Sequence, residues 1–291
     1  MTDKRVLIVA NERDDAVAAA VCAIRAHFGD SLQIINGTTR QADAAADAPA
    51  VGDAALCDLV LALGGDGTIL RAARRMLADD IASPLLGIKF GRLGFLSGAP
   101  AAELLPALDA ALAGTATIEE RTVLAIEVRD ATGTLRARHA ALNEAFLGRA
   151  DLPGPVTTAL AINDHDIYTQ TGDGVIVATA TGSTAYALAA GGPVVASGYA
   201  GMVVVPVASH TLVQRAIVTA PDDSVTLRLP DALRAHAALV IDGAETLRFA
   251  APATDTIHIR RDPARSIRLV KTSSRLFFDT LAREFFGSRG D

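Results

Sequence analysis

Tryptophan is absent, aromatic residues make up only 4% of the chain, and there are two cysteines. With so few rings the chain offers no platform on which single-stranded nucleic acid could stack. Cys22 and Cys57 have no metal-site spacing and could make one disulfide at most, which suits a chain whose thiols stay reduced. Lysine is nearly missing: Lys4, Lys89 and Lys271 are the only ones, and arginine carries the remaining positive charge. The net charge is −6, whereas a nucleic-acid binder usually shows a basic surplus. No apolar run approaches the roughly 18 residues that a membrane-spanning helix needs. The opening stretch MTDKRVLIVANERDD also lacks the longer apolar core and cleavage site of a secretory signal. These absences lead to the expectation of a cytoplasmic protein with no membrane partner and no nucleic-acid partner.

What is present is a chain of 291 residues, 50% hydrophobic and 21% charged, which is globular and long enough for two domains. The first part alternates strand and helix. Arg5–Ala10 reads as a buried strand, and Asp14 or Asp15 then caps a helix carrying Val17, Val21, Ile24 and Phe28, stopped at Gly29. Strands follow at Leu32–Ile35, Asp58–Leu63 and Leu85–Ile88, with a helix over Ile69–Ala78 and a loop or weak helix over Ala42–Ala50. This rhythm predicts a parallel sheet covered by helices. Near Gly114 the pattern changes to short strands separated by turn residues, an all-β signature that lasts to about Val270. One helix, Thr184–Ala190, interrupts it, and an apolar-faced helix over Leu276–Phe286 ends the chain. The expected architecture is therefore an α/β domain over 1–116, a β-rich, sandwich-like domain over 117–270, and a C-terminal helix within 271–291 returning to the first.

The sharpest local feature is Gly64-Gly65-Asp66-Gly67-Thr68 at a strand-to-helix junction. Glycines there let backbone N–H groups approach a phosphate, and the helix N-terminus adds positive potential at the same place. Asp66 is out of keeping with a pure phosphate cradle, because its carboxylate repels an anion unless it holds a metal ion or a substrate hydroxyl. The bland alternative is that Asp66 caps the following helix. The loop lacks the Gly-Lys-Ser/Thr ending of a Walker A loop and does not match the dinucleotide fingerprint of oxidoreductases. A second constellation lies in the β-rich part: Asn143-Glu144, Gly172-Asp173-Gly174, and Thr179 through Tyr186. Singly, each has a plain reading as a turn or a helix cap. Together they offer amides, hydroxyls and one flat ring, Tyr186, to a polar ligand.

Taken in order, GGDGT (Gly64–Thr68), GRLGFL (Gly91–Leu96), LNE (Leu142–Glu144), DGVIVAT and TGSTAY (Asp173–Tyr186), and AGGP (Ala190–Pro193) resemble the NAD kinase family over essentially the whole chain. The resemblance implies phosphoryl transfer from ATP or polyphosphate to the adenosine-ribose 2′-hydroxyl of NAD, giving NADP. It implies that Asp66 is the catalytic carboxylate. Gly64, Gly65, Gly67 and Thr68 would lie at the phosphates, with Arg71 and Lys89 as nearby cations. NAD would be bound by Asp66, Gly67, Asn143, Glu144, Asp173, Thr184, Ala185 and Tyr186. Asp242 resembles a position facing the ligand of a neighbouring subunit, so a homodimer or homotetramer is implied. ATP and NAD are the implied small-molecule substrates and Mg2+ the implied divalent metal, with no metal ligands assigned. Some NAD-selective relatives carry arginine where this chain has Thr171, and a neutral residue there implies that NADH is phosphorylated as well. The chain departs from the family pattern at Lys89, where asparagine is common, and at Ala189, where serine is common. A lipid or sugar kinase with a similar glycine loop, and a dinucleotide-binding regulator without catalysis, are the rival readings.

Overall fold

The structure is a computed structural model describing residues 4–10, 14–36, 56–91, 94–150, 155–210, 215–230, 237–249, 255–271 and 277–287. Two compact units divide the chain: Met1–Glu120 with Ile267–Asp291, and Arg121–Ser266.

In the first unit the strands are β1 (Lys4–Ala10), β2 (Leu32–Asn36), β3 (Leu59–Leu63), β4 (Leu85–Lys89) and β5 (Ala99–Pro100). They form a parallel sheet in the order β2-β1-β3-β4, with β5 continuing beside β4. Helix α1 (Asp15–Phe28) begins where the Asp14 carboxylate accepts the Ala16 N–H at 3.0 Å, and it stops at Gly29, whose φ is +53°. Helices α2 (Asp66–Ala78) and α3 (Leu104–Leu112) complete the layer structure. Val17 and Ile24 of α1 and Leu104 and Leu108 of α3 share one core with Val6, Ile8, Leu61 and Leu63 of the sheet. The opposite face is covered by α2, whose Ile69 side chain lies against Gly87 of β4. Burying each of these Leu, Ile and Val side chains is worth about 1.5–3 kcal/mol. Residues Ala42–Ala50, expected as a loop or weak helix, lie outside the described residues.

The second unit contains β6 (Thr117–Arg129, from Arg121 onward), β7 (Leu135–Ala141), β8 (Glu144–Arg149), β9 (Val156–Ile162), β10 (His165–Gly172), β11 (Gly174–Ala178), β12 (Val203–Val207), β13 (Ile217–Val218), β14 (Ser224–Arg228), β15 (Ala237–Ile241), β16 (Ala244–Phe249) and most of β17 (Thr256–Lys271). One sheet runs β13-β12-β11-β8-β15-β16, and the other runs β10-β9-β14-β17, with β6 attached to β17 and β7 to β6. Every strand pair with a described register in this unit is antiparallel. Side chains from both sheets, including Leu147, Val175 and Leu239 from one and Leu160, Leu227 and Ile259 from the other, form a single core. This is a sandwich. Val175 and Val177 point into that core, while Ile176 and Ala178 pack on the other face with Ala187, the alternation expected of a strand.

The last stretch of β17 belongs to the first unit, where Leu269 pairs in parallel with Leu85 of β4. Helix α5 (Phe277–Phe286) also belongs there and rests on Phe95 through Phe277 and Phe285, at ring separations of 5.5 and 6.2 Å. Leu276, the expected first residue of this helix, lies outside the described residues. Among the described residues no helix is long and apolar enough to cross a membrane.

Candidate functional site

The sheet order of the first unit reverses between β1 and β3, so the loop leaving β3 stands at a topological switch point, the usual ligand crevice of such sheets. That loop is Gly64-Gly65. Gly64 adopts φ +155° with the Thr68 side chain packed where a β-carbon would be, so a larger residue is excluded there. Its N–H donates to the Ile88 carbonyl of β4 at 3.0 Å, which ties the loop to the neighbouring strand. Helix α2 starts three residues before the expected Ile69, with Gly65 as the N-cap and Asp66 as the first helical residue. No side chain caps this helix, so the capping reading of Asp66 is not what its carboxylate does. Instead, Lys89 at the end of β4 donates its Nζ to Asp66 Oδ1 at 3.2 Å. Arg71, one turn into the helix, donates to Thr68 Oγ1 at 3.1 Å. Asp66, Gly67, Thr68, Arg71 and Lys89 are thus gathered at one end of the parallel sheet.

A third segment shapes the same place. A β-carbon at Gly94 would overlap both carboxylate oxygens of Asp66, so the bare backbone at 94 leaves the room that the carboxylate occupies. Gly94 is held in turn: its N–H donates to Ser97 Oγ at 3.0 Å, and Lys271 donates to the carbonyls of Phe95 at 3.2 Å and Ser97 at 2.7 Å. Neither Gly94 nor Lys271 was singled out from sequence as a site residue, although GRLGFL was noted as a motif.

In the second unit the Leu142-Asn143-Glu144 segment wraps a single carboxylate. Asp242 accepts N–H bonds from Leu142 at 2.8 Å, Asn143 at 2.8 Å and Glu144 at 3.1 Å, and donates its own N–H to the Glu144 carbonyl at 3.0 Å. Asp242 and Gly243 have φ of +48° and +77°, the pair of left-handed residues of a two-residue hairpin turn joining β15 to β16. At 4% exposure, Asp242 turns its carboxylate onto its own chain's loop. The signal for this was the Asp-Gly pair between apolar strands; the partner, about a hundred residues earlier, carries no sequence cue.

Thr179 completes the support, with Oγ1 donating to the Leu142 carbonyl at 2.6 Å and its N–H to the Asn143 carbonyl at 2.9 Å. Asn143 Oδ1 and Glu144 Oε2 are buried and have no hydrogen-bond partner among the described residues. Burial, reinforced by the neighbouring Asp242 charge, pushes the Glu144 carboxyl up to about 8, so it is mostly protonated at neutral pH. Arg121, buried at 2%, donates to Thr181 Oγ1 at 3.3 Å and was not foreseen as part of this region.

The expected helix over Thr184–Ala190 is shorter. Gly182–Thr184 forms a 3-10 turn, and after a break at Ala185 (φ −104°, ψ −128°) only Tyr186–Ala189 is helical, as α4. No long helix aims its N-terminus here, and the Thr184 hydroxyl is used locally, donating to the Thr181 carbonyl at 3.1 Å. Tyr186 remains 43% exposed with its ring edge-on to Phe146 at 5.4 Å. Asp173 is paired with Arg149 at 3.3 Å, both half-exposed.

A phosphate-suited glycine loop ending in a carboxylate, and a second unit presenting buried polar groups beside an exposed ring, define a phosphotransferase class that acts on polar small molecules. Comparison with known proteins narrows this. Residues 24–116 match the ATP-NAD kinase N-terminal domain, and residues 142–272 match the ATP-NAD kinase C-terminal domain. The NAD kinase of Chloroflexus aggregans is 38% identical over 229 residues, covering 78% of this chain and 80% of the relative. That of Symbiobacterium thermophilum is 36% identical over 246 residues, covering 84% and 83%. Among solved structures, yeast NADH kinase complexed with NADH superposes with a TM-score of 0.82 at 20% identity, covering 100% of this chain and 89% of that one. An NAD kinase from Archaeoglobus fulgidus in complex with ATP gives 0.72 at 21% identity, covering 97% of each. The chain belongs to the NAD kinase family, and it is an enzyme of that kind.

Proposed function

We propose that the chain transfers the terminal phosphoryl group of ATP to the adenosine-ribose 2′-hydroxyl of NAD, releasing ADP and NADP. The observation that carries this is Asp66: a carboxylate on the first residue of a helix that it does not cap, at the switch point of a parallel sheet. A carboxylate there suits a hydroxyl acceptor. Asp66 would accept a hydrogen bond from the 2′-hydroxyl and aim its oxygen at the γ-phosphorus. As the new P–O bond forms and the bond to the β-phosphate oxygen breaks, the hydroxyl proton passes to the carboxylate. An ordinary aspartate is a weak base toward an alcohol, so orientation and late proton acceptance describe its work better than prior deprotonation. The N-terminus of α2, with Gly64, Gly65, Gly67 and Thr68, supplies N–H groups and positive potential to the donor's phosphates. Arg71 orients the Thr68 hydroxyl among them.

For NAD, Asn143 Oδ1 and Glu144 Oε2 are the groups that ligand donors would satisfy, since a buried polar group left unpaired costs about 1–3 kcal/mol. Adenine and ribose bring such donors. The open ring of Tyr186 suits stacking, Thr184 and Ala185 directly precede it in the chain, and Asp173 would add a further polar contact. Asp242 acts through the loop that it holds. No group of three or more His, Cys, Asp or Glu among the described residues could hold a metal ion, so we treat Mg2+ as arriving on the donor's phosphates as part of the substrate. The cytoplasm, and a homodimer or homotetramer, complete the proposed setting.

Asp66→Asn tests the reading. General-base help is worth about 10²–10⁴-fold, so kcat should fall by that factor while NAD affinity, measured by calorimetry, stays close to wild type. Retention of more than about a tenth of wild-type turnover would remove Asp66 from the chemistry.

A further inference from the structure

An anionic Asp66 inside a loop built to attract phosphates poses an electrostatic problem: the carboxylate works against the donor that the loop is shaped to hold. We propose that Lys89 is the built-in counter-cation of Asp66, a positioning residue that fixes the carboxylate and neutralises it so that a polyphosphate can approach. This rests on the kinase reading given above.

Three observations carry it. Lys89 Nζ lies 3.2 Å from Asp66 Oδ1, and the two side chains are 21% and 36% exposed, shielded enough to interact and open enough to meet a ligand. The residues reach each other because β3 and β4 are parallel neighbours, with Leu63 paired to Ile88, so their carboxyl ends bring residues 66 and 89 together. The carboxylate is also confined on another side: the bare Gly94 backbone gives it room, and that backbone is braced by Ser97 and Lys271. Asp66 is therefore held between an ammonium and a glycine.

Composition sharpens the point. The chain has three lysines against a large excess of arginine, and two of the three, Lys89 and Lys271, build the surroundings of Asp66. An ammonium is a compact point charge with three donors, so one group can hold a carboxylate oxygen and still face a phosphate. A guanidinium, with its planar fork, would tend to take the carboxylate in a bidentate pair. In this chain the donor site would thus depend on an internal cation.

The test is a binding cycle with the non-hydrolysable donor adenylyl imidodiphosphate and Mg2+, followed by calorimetry on the full chain. Lys89→Met should weaken analogue binding about tenfold or more and leave the Kd for NAD within about twofold. Because the pair is partly exposed, the variant should fold with a melting temperature near wild type, and Lys89→Gln serves as a second charge-removing variant. In an Asp66→Asn background there is no carboxylate to neutralise, so adding Lys89→Met should cost less than about threefold. Lys89→Arg, which keeps the charge but takes the carboxylate through its planar fork, should bind the analogue better than Lys89→Met and less tightly than wild type. Unchanged analogue binding in Lys89→Met would overturn the proposal. So would a full tenfold loss in the Asp66→Asn background, which would make Lys89 an ordinary phosphate ligand acting independently of Asp66. A wild-type protein that makes no NADP from NAD and ATP would instead refute the kinase reading, a separate and distinguishable failure.

Discussion

Asp242 and Glu144 show how much of the site rests on single carboxyl groups with different tasks. Asp242 satisfies three consecutive backbone N–H groups, and replacing it by asparagine would remove one of its two acceptor oxygens and its charge. A buried donor left unpaired costs about 1–3 kcal/mol, so Asp242→Asn should lower the melting temperature by several degrees and weaken NAD binding by displacing Asn143 and Glu144. Thermal melts and NAD titration would check both. Glu144 gives a pH dependence of known sign. Its folded carboxyl titrates near 8 against about 4.5 in the unfolded chain, so between those values the folded state holds the extra proton. Its contribution is full below about pH 4.5 and declines as pH rises toward 8. Glu144→Gln, neutral at every pH, should flatten this part of the stability profile and gain on wild type most at pH 8. Equal slopes for both proteins would contradict the assignment. At Thr171 the hydroxyl is shared with Thr157 at 2.9 Å on the adjoining strand, leaving no cation at that position. Discrimination between NAD and NADH should then be modest: NADH is phosphorylated, NAD is preferred, and the kcat/KM ratio stays below about a thousandfold, roughly 4 kcal/mol.

At the scale of elements, legibility followed locality. The first helix could be read to its ends because its cap, its apolar spacing and its terminating glycine all lie within the segment. The start of α2 was placed too late because Asp66-Gly67-Thr68 has poor helix propensity, yet extended Gly65 begins the helix regardless. The helix expected after Gly182 shrank because Ser183 and Thr184 turn their hydroxyls onto the carbonyls of Ala180 and Thr181, competing with regular helix. The glycine loop and Asn143-Glu144 were visible as motifs. The contacts that support them were not: Lys89 meets Asp66, and Asp242 meets the Leu142 amide, through strand neighbours that no local pattern announces. The C-terminal helix was legible from its apolar stripe, though its cover is partial. Phe277 and Phe285 meet Phe95, while Phe278 and Phe286 stay 63% and 77% exposed. Because Phe95 also adjoins the segment backing Asp66, ending the chain after Lys271 should lower the melting temperature and cut activity together. A truncated protein with both unchanged would make α5 a dispensable tail.

Taken as a whole molecule, the chain assigns its two chemical tasks to two different kinds of unit. In the proposed reaction a parallel sheet with a glycine loop would handle phosphate and the reacting hydroxyl, and an antiparallel sandwich would present its buried polar groups to the dinucleotide. With a net charge of −6, the positive potential that the proposed phosphate site needs would be local, at α2 and Lys89. We propose that these parts together make NADP. The most direct measurement is phosphorus NMR of the product after incubating the protein with ATP, Mg2+ and NAD. Stoichiometric ADP and a single new phosphomonoester resonance on the adenosine-ribose 2′-oxygen are expected, in a product reduced by an NADP-specific dehydrogenase. ATP consumed without that resonance, or a phosphate placed on any other hydroxyl, would contradict it.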